Sequence, residues 1–116
     1  MVALIKSADV AAGEKIAKRC AICHTFDKGA PNKVGPNLWN VVGGPHAHKE
    51  DFKYSDAMMA LHDKPWTYQD LDAFLASPRE YVPGTKMAFA GLKKAEDRAA
   101  VIAYLRSLSD SPQPLP

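Results

Sequence analysis

Residues 25–55 are rich in Gly, Pro, Asn and Lys and sustain neither a helical nor an alternating period. A structureless stretch of this length is uncommon in a compact domain unless it wraps around something. The chain has 116 residues, a size that suits one domain with one core. A single domain over 1–116 is therefore expected, with 1–6 and 109–116 as frayed tails. Something other than regular structure has to organise its middle third.

Helix signals flank that stretch. "SADVAAGEKIAKRC" reads as a helix with Ser7 as N-cap, Asp9 in the first turn and Lys18 and Arg19 in the last. A short candidate, "DAMMALHD", starts at Asp56 and is ended by Pro65. Thr67 with Asp70 resembles a capping box opening "YQDLDAFLA", and Pro78 suits a first helical turn with Glu80 able to close a second box. Residues 95–108 carry the strongest pattern, with Glu96 and Asp97 at the positive end, Arg106 at the negative end and a stripe of Ile102, Leu105 and Leu108. Nothing has the pattern of a sheet strand, so the expected class is all-α with about four to five helices.

Hydrophobic residues are 47% and charged residues 24% of the chain, as in ordinary globular proteins. Fifteen Lys and Arg against thirteen Asp and Glu give +2, with no run of like charge, which argues against nucleic acid as a partner. The longest apolar run near the N-terminus covers only 2–5, far short of a membrane span. The residues given are expected to be soluble, with any membrane attachment made through a preceding anchor.

Both cysteines lie in "CAICH" at 20–24, beside His24. A disulfide between them would close a loop too small to staple a fold. A thioredoxin-type dithiol would want a preceding strand and a βαβ context, neither of which is present. A Cys₂His₂ zinc site would need two more ligands, and His46 with His48 are closer together than such pairs usually are. C-x-x-C-H is also the attachment motif of c-type haem. Two thiols adding across two vinyl groups must sit a fixed short distance apart, and the next residue is then delivered to the iron. Haem is favoured on the five residues; zinc and a dithiol stay open.

A second axial ligand would decide the chemistry. Met1 is terminal, and Met58 and Met59 fall on a short helix where packing is the simpler role. Met87 lies in "VPGTKMAFAG", a loop bent at Pro83 and Gly84, and with "CAICH" upstream it is the favoured ligand. His46 and His48, in a Gly/Pro-flanked loop, and His62, ending a short helix, are expected to be exposed and not to ligate.

"GEKIAKRCAICHTF", "VGPNLWNVVG", "FKYSDA", "PWT", "REYVPGTKMAFAG" and "DRAAVIAYL" follow one another in the order and approximate spacing of class I c-type cytochromes. The chain resembles that family, in its mitochondrial and alphaproteobacterial form, over nearly its full length. It is similar in particular to bacterial forms that can be membrane-anchored and serve a terminal oxidase. The resemblance implies a cytochrome c fold wrapped around one haem c, with N- and C-terminal helices crossing at Gly13 and Tyr104. It implies thioether links from Cys20 and Cys23, and His24 and Met87 as axial ligands. Pro36 would accept a bond from the far nitrogen of His24. Tyr54, Ser55, Trp66 and Thr85 would hold or line the propionate edge, and Phe89 would shield the Met side.

Four positions depart from the family pattern: Gly44 for an arginine, Phe74 for a tyrosine, Met58 for an asparagine and Ala17 for an aromatic. They imply a more apolar cofactor environment. Ligation on both faces implies a one-electron carrier, not an enzyme; the alternative is a haem protein with a labile sixth ligand, acting as a peroxidase-like enzyme or gas sensor. Implied partners are a cytochrome bc-type complex and a cytochrome oxidase, met by a monomer through Lys18, Arg19, Lys28, Lys33, Lys86, Lys93 and Lys94. The implied location is the bacterial periplasm or the periplasmic face of the inner membrane, with the mitochondrial intermembrane space as alternative.

Overall fold

Asp9 starts the helix that leads to the cysteines: its carboxylate accepts from the Ala11 amide (3.0 Å). The computed structural model describes residues 1–85, 87 and 89–115, so Lys86 lies outside the described residues. Among the described residues there are six α-helices and no strand: α1 (Val2–Ser7), α2 (Val10–Ala17), α3 (Asp56–Met59), α4 (Tyr68–Ala76), α5 (Pro78–Tyr81) and α6 (Ala95–Ser107). One 3-10 turn, Cys20–Ile22, follows α2.

The local signals explain most of these starts. Ser55 Oγ accepts from the Met58 amide (3.2 Å) and Thr67 Oγ1 from the Asp70 amide (3.0 Å), so α3 and α4 begin at side-chain caps. Pro78 opens α5 at its first turn, but Ser77 makes no side-chain cap, so the second box is not formed. α6 also lacks a side-chain cap. Arg98 instead donates back to the carbonyls of Leu92 (2.9 Å) and Lys93 (3.0 Å), and its Nε pairs with Asp72 on α4 (2.6 Å).

Three expectations are corrected. Ser7 does not cap α2; it closes α1, its hydroxyl donating to the carbonyls of Ala3 (3.2 Å) and Leu4 (3.3 Å). Residues 1–6 are not frayed, because Ile5 is 3% exposed and α1 packs on α6. Burying one isoleucine side chain stabilises by roughly 2 kcal/mol, and that contact ties the helix to α6. Residues 109–116 are not loose either over the described part. The Gln113 carbonyl accepts from Tyr68 Oη (2.6 Å) and Arg106 Nε (2.7 Å), and Leu115 packs on the core.

Helix α6 is the spine, touching α1, α2 and α4. Where α2 crosses it, Gly13 brings backbone against backbone: a Cβ there would lie 1.9 Å from the Ala100 carbonyl oxygen. The long connection 25–55 is organised by polar groups. Asn37, 3% exposed, donates to Thr25 Oγ1 (2.8 Å) and the Asp27 carbonyl (3.0 Å), and accepts from the Trp39 amide (3.0 Å). Gly43 and Gly44 then exchange backbone bonds with Trp66 (2.9 and 2.7 Å), fastening the loop to the start of α4.

Candidate functional site

The 3-10 turn after α2 folds the cysteine segment onto itself: the amides of Cys23 (3.0 Å) and His24 (2.8 Å) both donate to the Cys20 carbonyl. Both cysteines are half-buried and free of any disulfide. Burial pushes the Cys20 thiol up, against a smaller lowering by Arg19, so it is held protonated. A thiolate nucleophile or ready-made metal ligand would show the opposite tendency.

His24 faces a backbone carbonyl. Its Nδ1 lies 2.7 Å from the oxygen of Pro36, which can only accept, so Nδ1 carries the proton and Nε2 keeps its lone pair. Burial pushes this imidazole below its ordinary value, with the Pro36 bond opposing and Lys33 adding a smaller lowering. It is neutral near pH 7. Gly35 lies against the ring, where a Cβ would come 2.3 Å from His24 Cε1.

These groups open on a cavity of about 510 Å³. Protein interiors have few voids larger than a water molecule, and this volume is in the range of cofactor sites. The lining is almost wholly apolar, which suits a large apolar occupant.

All ten residues expected from the sequence to hold or line the cofactor line this cavity. Cys20, Cys23, His24 and Pro36 come from the turn and the loop after it; Tyr54, Ser55 and Trp66 come from the far end of the long connection; Thr85, Met87 and Phe89 come from the loop before α6. Met87 is half-buried, and its amide donates to Thr85 Oγ1 (3.2 Å). The Tyr54 hydroxyl accepts from the Lys49 amide (3.0 Å), and Ser55 Oγ from that of Met58, which leaves each hydroxyl proton to donate elsewhere. Burial is the main reason the Tyr54 phenol is pushed up, so it keeps that proton.

Of the departures noted in sequence, Ala17, Met58 and Phe74 also line the cavity, whereas Gly44 does not. Leu71, Val101 and Leu105 from α4 and α6 add apolar surface. His48, missed as a site residue, lines it too; its Nε2 donates to the Asn37 carbonyl (2.8 Å). The expectation that His46 and His48 are exposed is wrong. His48 is half-buried and His46 is 0% exposed, because the loop folds in over Trp66. His62 is exposed. Among the described residues no three His, Cys, Asp or Glu side chains gather as a metal site, so His46 and His48 do not complete a zinc centre with the cysteines.

An all-α protein whose helices and long irregular loop enclose an apolar cavity lined by a C-x-x-C-H segment is the class that fold and cavity define. The chain belongs to the cytochrome c family, whose profile matches residues 10–109. A protein named cytochrome c homolog from Bradyrhizobium diazoefficiens is 49% identical over 114 residues, covering 97% of this chain and 61% of its own. The cytochrome c homolog of Rickettsia prowazekii is 49% identical over 104 residues, covering 90% of this chain and 59% of its own. Cytochrome c2 of Afifella marina is 45% identical over 109 residues, covering 92% of this chain and 88% of its own. The chain thus spans only about three-fifths of the two homologs' length.

Family membership implies covalently attached haem c, and the residues present fit it. The cavity is apolar and of cofactor size, both cysteines and His24 line it, and with Nδ1 bonded to Pro36 the neutral imidazole keeps Nε2 unprotonated. No helix among the described residues is long and apolar enough to cross a membrane.

Proposed function

We propose that residues 1–116 form one monomeric domain that carries single electrons between a quinol-oxidising complex and a terminal oxidase. The observation that carries this is the convergence of Cys20, Cys23, His24 and Met87 on one apolar cavity. Haem c, when bound, supplies an iron that changes oxidation state by one electron. Cys20 and Cys23 hold it covalently, and His24 Nε2 and the Met87 thioether are its protein ligands. The Pro36 carbonyl fixes the His24 tautomer and ring orientation. Met58, Leu71 and Phe74 exclude water, and a soft thioether in a poorly polar site favours the less charged oxidation state. Tyr54 and Ser55, whose hydroxyl protons are not used in accepting from the Lys49 and Met58 amides, would help hold the cofactor's carboxylates.

The oxidised protein is expected to give low-spin bands with a weak far-red sulfur-to-iron band, which Met87→Ala abolishes. A high-spin spectrum of the parent protein would instead favour an enzyme or gas sensor, and no visible absorption would remove haem altogether.

Partners would meet the exposed rim of the cavity. Ile22 (74% exposed) and Val34 (79% exposed) both line it, and Arg19 and Lys33 stand in the same segments. Lys18, Arg19, Lys33, Lys93 and Lys94 are exposed, whereas the charge of Lys28 is offset by Asp110. An apolar centre with cationic surroundings suits brief, steered encounters with acidic redox proteins on the periplasmic side. Electron transfer to an acidic-faced oxidase is expected to slow by about tenfold between low and physiological salt; a rate indifferent to salt would overturn this docking mode.

A further inference from the structure

His46 is a fully buried titratable side chain (0% exposed) that does not line the cavity. Its ring stacks on Trp66, centroids 3.6 Å apart and planes at 15°. Trp66 in turn lines the cavity, so His46 sits one ring behind the cavity wall. Its Nδ1 donates to the Lys64 carbonyl (2.6 Å), and Nε2 lies 3.1 Å from the Tyr81 hydroxyl. A carbonyl only accepts, so Nδ1 carries a proton, and in the neutral ring Nε2 accepts from Tyr81.

The Tyr81 hydroxyl is not a dead end. Lys64 Nζ lies 3.4 Å from it and pairs with Asp70 Oδ1 at 3.2 Å. Lys64 is exposed and Tyr81 half-buried. A hydrogen-bonded path therefore runs from solvent, through the Lys64–Asp70 pair and the Tyr81 hydroxyl, to a base buried behind Trp66.

We infer that this carrier takes up a proton on His46 when it takes up an electron, with Tyr81 as the relay; the inference rests on the electron-carrier reading above. The balance is simple. One electron arrives from a one-electron donor protein and one proton from solvent, and both leave again on oxidation. The Tyr81 hydroxyl passes its proton to His46 Nε2 and regains one from the Lys64–Asp70 end. Reduction lowers the positive charge in the cavity by one, which favours the imidazolium across a wall that water does not screen. The stacked indole face further suits a cation.

The charged and titratable groups facing His46 are Lys64 in the loop before α4, Asp70 on α4 and Tyr81 on α5. Burial is the largest influence and pushes His46 below its ordinary 6.5; the Lys64 carbonyl bond and Asp70 oppose this, and the Lys64 ammonium adds to it. The coupled window therefore opens on the acid side of 6.5. Within it the midpoint potential falls as pH rises, since His46 is protonated more readily in the reduced form.

The test uses the haem-loaded full chain: midpoint potential against pH, with the His46 Cε1–H resonance titrated by NMR in each oxidation state. The expected result is a sloping potential in the acid window and a His46 titration displaced upward by about one pH unit on reduction. His46→Gln keeps hydrogen-bonding capacity without titrating and is expected to flatten the slope. Asp70→Asn removes a charge favouring protonation and is expected to move the window to lower pH. A normal c-type spectrum with a pH-flat potential and equal His46 titrations in the two states overturns the inference alone. So does a slope that survives in His46→Gln, which would assign it to another titrating group at the cavity. Lack of a covalent haem spectrum would instead overturn the carrier reading beneath it.

Discussion

Replacing Gly13 by alanine is expected to destabilise the protein by about 2 kcal/mol net. The new Cβ would lie 1.9 Å from the Ala100 carbonyl oxygen and 2.5 Å from its carbon. Those are backbone atoms of α6, with no rotamer to turn aside, so α2 and α6 have to part. Overpacking of a close contact costs about 3 kcal/mol, while alanine's better helix propensity returns only about 1 kcal/mol. The clash wins. Separation also loosens the seam over Ala99, Ala100 and Ile102, all buried at this face of the core. Guanidinium unfolding at one fixed oxidation state measures the loss. Glu14→Ala, exposed one residue further on, is expected to stay within about 0.5 kcal/mol of the parent. A Gly13→Ala protein as stable as the parent would mean that the helices do not cross at this glycine.

Much of this architecture is written locally. Thr67 with the Asp70 amide, Pro78 at a first turn, and the acidic start of α6 are interactions within one helical turn, so the sequence displays them directly. The choice between Ser7 and Asp9 as cap is different. Both residue types cap well, and what decides is α1, which holds because Ile5 finds α6 near the other end of the chain. His46 fails in the same way. In sequence it sits between glycine, proline and polar residues; its burial is made by Lys64, Trp66 and Tyr81, which are 18 to 35 positions later. Asn37 looks like a turn residue, yet it staples a loop by bonds to Thr25, Asp27 and Trp39 that no periodicity announces.

The cavity lies between these cases. No hydrophobic period marks Tyr54, Thr85 or Met87 as neighbours of "CAICH", because an irregular loop has no face. Their grouping was legible only through the ordered resemblance of whole segments. The lack of regular structure over 25–55 was nevertheless a physical signal, since that loop supplies Pro36, Tyr54 and Ser55 to a cavity the helices alone would not close.

Gly35→Ala is expected to strike the site rather than the fold around it. A Cβ at this position would lie 2.3 Å from His24 Cε1, 2.7 Å from Nδ1 and 2.8 Å from Nε2. The backbone here has little freedom to retreat, because the Gly35 amide donates to the Cys23 carbonyl (2.7 Å) and its carbonyl accepts from the Lys33 amide (2.9 Å). The imidazole must move instead, away from the Pro36 oxygen that sets its tautomer. A lost hydrogen bond costs about 1 kcal/mol and the overpacking about 2 kcal/mol more. Spectroscopy is the sharper readout. With the cysteines untouched, haem should remain covalently bound while the low-spin bands weaken and the His24 Nδ1–H resonance moves or disappears. Gly29→Ala separates this from a general glycine effect: nothing lies within 4 Å of its Cβ, and only the positive φ of +79° is strained. That variant is expected to lose about 1 kcal/mol of stability and keep the parent spectrum. If Gly35→Ala keeps it as well, the close packing of Gly35 against the imidazole does not hold His24 in place.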